Sequence, residues 1–127
     1  MPNTILVIDD SDTLRQQVRR ALVAGGYEVV EATDGLEGLE KIRSSKDLSL
    51  VLCDINMPRM SGLEMLLELQ REGAKVPVVM LTTEGQPALI QRARDAGAKG
   101  WIVKPFKPEL LIAAVVKILS PKPAVAV

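Results

Sequence analysis

Four places in the chain carry residue types suited to phosphoryl chemistry: Asp9-Asp10, Asp54, Thr82-Thr83 and Lys104-Pro105. Each closes a short apolar run, in TILVIDD, LVLCD, VVMLTT and GWIVKP. After Val51, Leu52 and Cys53, a carboxylate at position 54 is awkward for a core and unnecessary for a turn. Three carboxylates gathered in one crevice repel each other unless a cation sits among them. A hard, oxygen-seeking ion meets that need, and Mg²⁺ typically uses one or two carboxylates plus water and phosphate oxygens. Lys104 adds a fixed positive charge and Thr82 a hydroxyl donor, which completes a pocket for a small dianion such as a phosphoryl group. Asp54 is the member best placed as nucleophile. A carboxylate with an ordinary pKa of about 3.9 is ionised at neutral pH and needs no base to activate it. Attack on phosphorus would give an aspartyl phosphate.

For these residues to meet, the runs that carry them must lie side by side. Five β-rich runs, TILVID (4–9), YEVVEA (27–32), LVLCD (50–54), VVMLT (78–82) and GWIVK (100–104), alternate with helical patterns. Leu14, Val18, Ala21 and Leu22 share one helical face and are followed by a Gly25-Gly26 stop. Asp34 with Glu37, and Ser61 with Glu64, have capping-box spacing. Pro87 suits a first helical turn and Gly97 its end, and Pro108 opens a last helix through Leu119. Strict alternation predicts an α/β, doubly wound fold: a five-stranded parallel sheet with five helices on its two faces. The first and third runs are apolar almost throughout, as central strands are. Ligands of such sheets bind beyond the carboxyl ends of the strands, where Asp9-Asp10, Glu31-Ala32, Asp54, Thr82-Thr83 and Lys104-Pro105 all fall.

Composition narrows the chemistry further. The 127 residues suit one domain, and 47% are apolar, which favours a folded globular chain. There is no histidine, which excludes a His-based triad, an imidazole zinc site and a phosphohistidine on this chain. Sixteen basic and sixteen acidic residues leave no net field for nucleic acid, and 2% aromatics offer no stacking platform for bases. Cys53 is the only cysteine and is read as core packing. No apolar run reaches the roughly 20 residues of a membrane span, and the start lacks a secretory pattern. The expectation is a cytoplasmic chain without membrane insertion.

Four of these stretches, VIDDSD, VLCDINMPRMSG, LTTE and GAKGWIVKPF, resemble the receiver domains of two-component response regulators, and the single-domain chemotaxis (CheY-type) regulators in particular. The resemblance implies a flavodoxin-like, CheY-like sheet of strand order 2-1-3-4-5. It implies that residues 1–120 form one receiver domain with no effector domain attached; from its Pro/Ala-rich composition, 121–127 is expected as a disordered tail, either a plain end or a stub of linker. Asp54 would be the phosphorylation site, taking a phosphoryl group from the phosphohistidine of a sensor kinase or phosphotransfer protein. Asp9, Asp10, Asp54 and the backbone carbonyl of Asn56 would hold Mg²⁺, with Asp10 the more direct ligand of the first two. Thr82 and Lys104 would contact the phosphoryl group, and a cis bond would precede Pro105. Family logic also supplies a switch, in which Thr82 moves toward the new oxyanion and an aromatic residue changes rotamer. That residue is Trp101 here, where Tyr or Phe is usual. Thr83 departs from the common small residue and is expected to slow loss of the phosphoryl group. Asn56 and Glu84 form the pair typical of chemotaxis regulators. Receivers assist their own phosphorylation and dephosphorylation, yet they are switches and not conventional enzymes.

Each residue taken alone has a plainer reading: Asp9 or Asp10 as a turn residue before a cap, Lys104 as a solvated lysine, Thr82 as a β-former, Trp101 as packing. The coincidence of four strand ends favours the chemical one. A haloacid-dehalogenase-like phosphohydrolase would place its nucleophile after the first strand in Asp-x-Asp spacing, which is absent. A pseudo-receiver that only binds partners would not need the full set. A flavodoxin-like cofactor binder would need a Ser/Thr/Gly-rich phosphate loop after the first strand. In the last helix Ile112, Val116 and Leu119 fall toward the flank. In receivers the surface of the fourth helix, fifth strand and fifth helix is the common output face, so these three are the candidate contacts for a downstream target protein.

Overall fold

A computed structural model describes residues 3–57, 59–83 and 87–119. Ten elements alternate along the chain: β1 (Thr4–Ile8), α1 (Asp12–Ala24), β2 (Glu28–Ala32), α2 (Gly35–Ser44), β3 (Leu48–Asp54), α3 (Gly62–Glu72), β4 (Val78–Thr83), α4 (Pro87–Asp95), β5 (Gly100–Lys104) and α5 (Pro108–Leu119). The strands form one parallel sheet in the order β2-β1-β3-β4-β5, the order the resemblance implies. Because side chains alternate across a strand, the sheet builds two separate apolar layers. Leu6, Ile8, Val51, Cys53 and Met80 face one way, against Leu39 of α2, Leu63, Leu66 and Leu69 of α3 and Ala93 of α4. Ile5, Val7, Leu50, Leu52, Val79 and Leu81 face the other way, against Val18 and Leu22 of α1 and Leu111 and Val115 of α5. Fully burying each such side chain is worth about 1.5–3 kcal/mol, so the two central strands anchor the domain.

Two local features differ from the expected pattern and a third matches it. β3 starts two residues earlier than its apolar run, because the β1–β3 register shifts between Thr4 and Ile5 and lets Leu48 pair with Thr4. The α2 start is capped by Asp34, whose carboxylate accepts the Glu37 N–H at 2.9 Å. Glu37, however, turns to the N–H and hydroxyl of Thr33, at 2.7 and 2.9 Å, so the reciprocal half of that box falls one residue upstream. The α3 start is a full capping box: Glu64 N–H donates to Ser61 Oγ at 3.1 Å and Ser61 N–H to Glu64 Oε1 at 3.0 Å.

Candidate functional site

The sheet register brings the predicted residues to one edge. Ile8 pairs with Cys53, so Asp9 follows at the level of Asp54, which in turn pairs with Leu81 just before Thr82. Thr83 pairs with Lys104 at the end of β5. Carboxylate oxygens of Asp9, Asp10 and Asp54 lie within 4.8 Å of one another. Asp9 and Asp54 are buried and Asp10 is exposed, so the cluster opens to solvent on one side. Lys104 reaches back from the edge strand and places Nζ 3.1 Å from Asp9 Oδ2 and 3.2 Å from Asp54 Oδ1. Thr82 is buried beside them at 2% exposure. The Lys104–Pro105 peptide bond is cis.

Electrostatics follow from this crowding. Burial, and then the negative charge of Asp9, push the Asp54 pKa up, while Lys104 and the main-chain N–H of Asn56 pull it down; the net direction is upward. The site therefore holds a carboxylate whose charge is poorly compensated. Next to it, burial above all pushes the Cys53 thiol up, with Asp54 and Asp9 adding to the effect, so Cys53 stays a neutral core residue. Three carboxylates around an opening are the donor set a hard divalent cation takes, and the arrangement fits Mg²⁺.

Residues 5–116 match the response regulator receiver domain family. The chain belongs to that family. It is 39% identical over 110 residues to the chemotaxis protein CheY1 of Helicobacter pylori, covering 84% of this chain and 89% of that one. It is 36% identical over 121 residues to the chemotaxis protein CheY of Bacillus subtilis, covering 94% and 100%. Among solved structures, the chemotaxis response regulator CheY4 of Vibrio cholerae superposes with a TM-score of 0.87 at 37% identity, over 94% of this chain and 100% of that one. The chain is a CheY-type receiver, and receivers of that type are signalling switches rather than classical enzymes. Receiver domains typically bind Mg²⁺ at an acidic pocket, the setting that Asp9, Asp10 and Asp54 create here.

Around this centre the receiver arranges its other candidates differently. Asn56 is exposed in the loop after Asp54. Trp101 lies outside the pocket, 37% exposed, with the Arg94 guanidinium over its ring at 4.6 Å from the centroid. Glu84 and the tail 121–127 lie outside the described residues, as does the side chain of Thr83. Of the three apolar positions of α5, Val116 stands out at 47% exposure. Ile112 and Leu119 are half-buried and pack against the α1–α5 layer, so the exposed strip is narrower than its helical spacing suggests. Among the described residues no helix is long and apolar enough to cross a membrane.

Two further groups shape the site without having stood out in the sequence. Arg15, on α1, is buried and donates to the Asp9 carbonyl; its spacing with Val18 and Leu22 puts a cation on the apolar helix face, and that was the available signal. Arg59, at φ +64°, donates through Nε to Asp34 Oδ2 at 2.7 Å and ties the loop after Asp54 to the start of α2. Burial works to raise the Asp34 pKa, but the Glu37 N–H and Arg59 outweigh it and hold the carboxyl below its ordinary value.

Proposed function

We propose that this receiver accepts a phosphoryl group on Asp54 from the phosphohistidine of a partner kinase or phosphotransfer protein and signals through protein contact. The observation that carries the proposal is the position of Asp54: buried at a strand end, within 4.8 Å of two other carboxylates and 3.2 Å from Lys104. An Asp54 carboxylate oxygen attacks phosphorus, the bond to the donor nitrogen breaks, and the donor leaves as the imidazole. Asp9, Asp10, Asp54 and the Asn56 carbonyl are the residues that would hold Mg²⁺. When bound, the ion neutralises charge on the phosphoryl oxygens and on the carboxylates. Lys104 is placed to follow the incoming dianion, since its ammonium already spans Asp9 and Asp54. Thr82, at the end of β4, supplies the hydroxyl that moves toward the new oxyanion, and Trp101 is the aromatic partner of that motion. On the family pattern Thr83 would slow loss of the phosphoryl group, and Asn56 and Glu84 would tune the site with it.

Residues 1–120 form the receiver on this reading, working in the cytoplasm in a chemotaxis or motility pathway. The target protein would contact the face of α4, β5 and α5, with Val116 at its exposed centre and Ile112 and Leu119 at its half-buried border. Charging Val116 should weaken target binding and leave phosphorylation intact; unchanged binding counts against that face. The test of the whole reading is intact-protein mass after incubation with acetyl phosphate and Mg²⁺. One added phosphoryl group is expected on the wild-type chain, and none on Asp54→Asn or after chelation of the metal. An adduct that persists on Asp54→Asn would overturn the assignment.

A further inference from the structure

The turn between β1 and α1 is braced by a single buried guanidinium. The Arg15 side chain is 11% exposed, in line with Val18 and Leu22 on the buried face of α1. It donates to the main-chain carbonyl of Asp9, donates through Nε to Glu31 Oε1 at 3.2 Å, and pairs with Asp12. Glu31 stands near the end of β2, opposite Val7 of β1, and also pairs with the more exposed Arg19 at 2.8 Å. One planar group thus joins the helix, the turn and the neighbouring strand. An arginine fork can hold three fixed directions at once, whereas a lysine ammonium is a point charge on a flexible stem.

The consequence falls on Asp9. Its N–H donates to the Ala32 carbonyl at 3.1 Å and its carbonyl accepts from Arg15. Its Oδ1 accepts the Ser11 N–H at 2.9 Å and its Oδ2 accepts from Lys104 at 3.1 Å. Every polar atom of Asp9 is held, and the next residue, Asp10, leaves the strand in a direction set by that peptide.

We propose that Arg15 is a positioning residue for the acidic site. By clamping the Asp9 carbonyl to Glu31 and Asp12 it aims the carboxylates of Asp9 and Asp10, and so sets the affinity of the cluster for a divalent cation. The inference rests on the reading that this cluster holds Mg²⁺. It is a claim about geometry and not charge, and the two have opposite signs. Removing a positive charge near a cation site tightens cation binding, whereas releasing the brace loosens the ligands and weakens it.

Calorimetric titration of the full chain with Mg²⁺ separates the two, with folding of each variant checked by circular dichroism. Groups that orient metal ligands are typically worth 10- to 100-fold in affinity. Arg15 acts through the main chain, so Arg15→Met should weaken Mg²⁺ binding by about 10-fold, the low end of that range. Arg15→Lys, able to keep the carbonyl bond but not the whole fork, should fall between it and wild type. Arg19→Met, which breaks the other Glu31 ion pair without touching Asp9, should bind as wild type does. Unchanged or tighter binding by Arg15→Met overturns the inference, and so does an equal loss in Arg19→Met. If Arg15→Met does not fold, Arg15→Lys decides, and wild-type affinity in that variant overturns the inference. A wild-type chain that binds no Mg²⁺ overturns the proposed function itself, an outcome distinct from wild-type binding that Arg15 leaves untouched.

Discussion

Gly62→Ala tests how the site is seated in the fold. Gly62 opens α3 and its N–H donates to the Ile55 carbonyl at 2.8 Å, which draws the helix start against the end of β3. A Cβ at this position would lie 2.3 Å from the Asp54 carbonyl oxygen, 2.8 Å from Met80 Cε and 3.0 Å from Ile55 Cα. Ordinary contact begins near 3.4 Å, so helix and strand end must part by about 1 Å, and only the methionine tip can yield without moving backbone. Helix propensity argues the other way, since alanine is favoured over glycine inside a helix by roughly 0.5–1 kcal/mol. Overpacking against backbone costs about 1–3 kcal/mol, and the main-chain clash should win, leaving a net loss of about 1–2 kcal/mol. Gly38→Ala is the matched control. Its Cβ also meets a heavy atom at 2.3 Å, but that atom is the Cδ1 end of Ile8, which can change rotamer. Gly38→Ala should therefore stay within about 1 kcal/mol of wild type. Urea unfolding reports both, and acetyl phosphate labelling of Gly62→Ala reports the displacement of Asp54. A Gly62→Ala protein as stable as wild type would refute the reasoning; equal losses in the two variants would show that overlap alone, and not the atom met, decides the cost.

Without metal, the raised Asp54 pKa makes folding bind a proton there, so this contribution to stability is full below the ordinary carboxyl value of 3.8 and is lost as pH rises through the raised one. Asp34 and Glu37 are held below their ordinary values of 3.8 and 4.5, so their contributions are lost only at lower pH. Urea unfolding in chelator should therefore show wild type gaining on Asp54→Asn as pH falls from neutrality toward the ordinary carboxyl value of 3.8, and a constant difference over that whole span would contradict the assignment. Ser61→Ala removes the hydroxyl half of the α3 capping box and should cost about 1 kcal/mol; an unchanged unfolding midpoint would show that the box contributes nothing here.

The chemical residues were legible because each sits at a strand end, and the apolar runs declare where strands end. Strand order was not legible from the runs, since alternation dictates parallel strands and helices on both faces without saying which strands are neighbours; that order came from the resemblance. Arg15 hid behind composition, because a basic residue in a helix reads as a solvated one until its three acceptors are located. Glu37 has the spacing of a reciprocal cap, but Thr33 offers two donors and takes it, a competition the spacing does not encode. In α5 the helical period assigned Ile112 to the flank, yet Gly25 leaves room for it. Ile112 Cδ1 lies only 3.1 Å from where a Cβ on Gly25 would stand, so the missing side chain of one helix admits the isoleucine of another.

Trp101 carries a cost of its own in the proposed switch. Thr82 is buried near the end of β4, beside Asp54. Trp101 starts outside, with the Arg94 guanidinium 4.6 Å from its ring centroid. Such a contact is worth about 0.5–1 kcal/mol at an exposed site and about 2 when desolvated. An inward turn of the indole forfeits it and also requires space for a ring larger than the phenol or phenyl of most receivers. Shifting a two-state equilibrium from 1:99 to 99:1 takes about 5.5 kcal/mol of differential binding. Both groups are exposed, so holding the indole outward opposes the switch by about a tenth to a fifth of that figure, on the aromatic side alone. The indole therefore carries a contact that an inward turn must give up, and while it stays outward it is part of the face that α4 and β5 present.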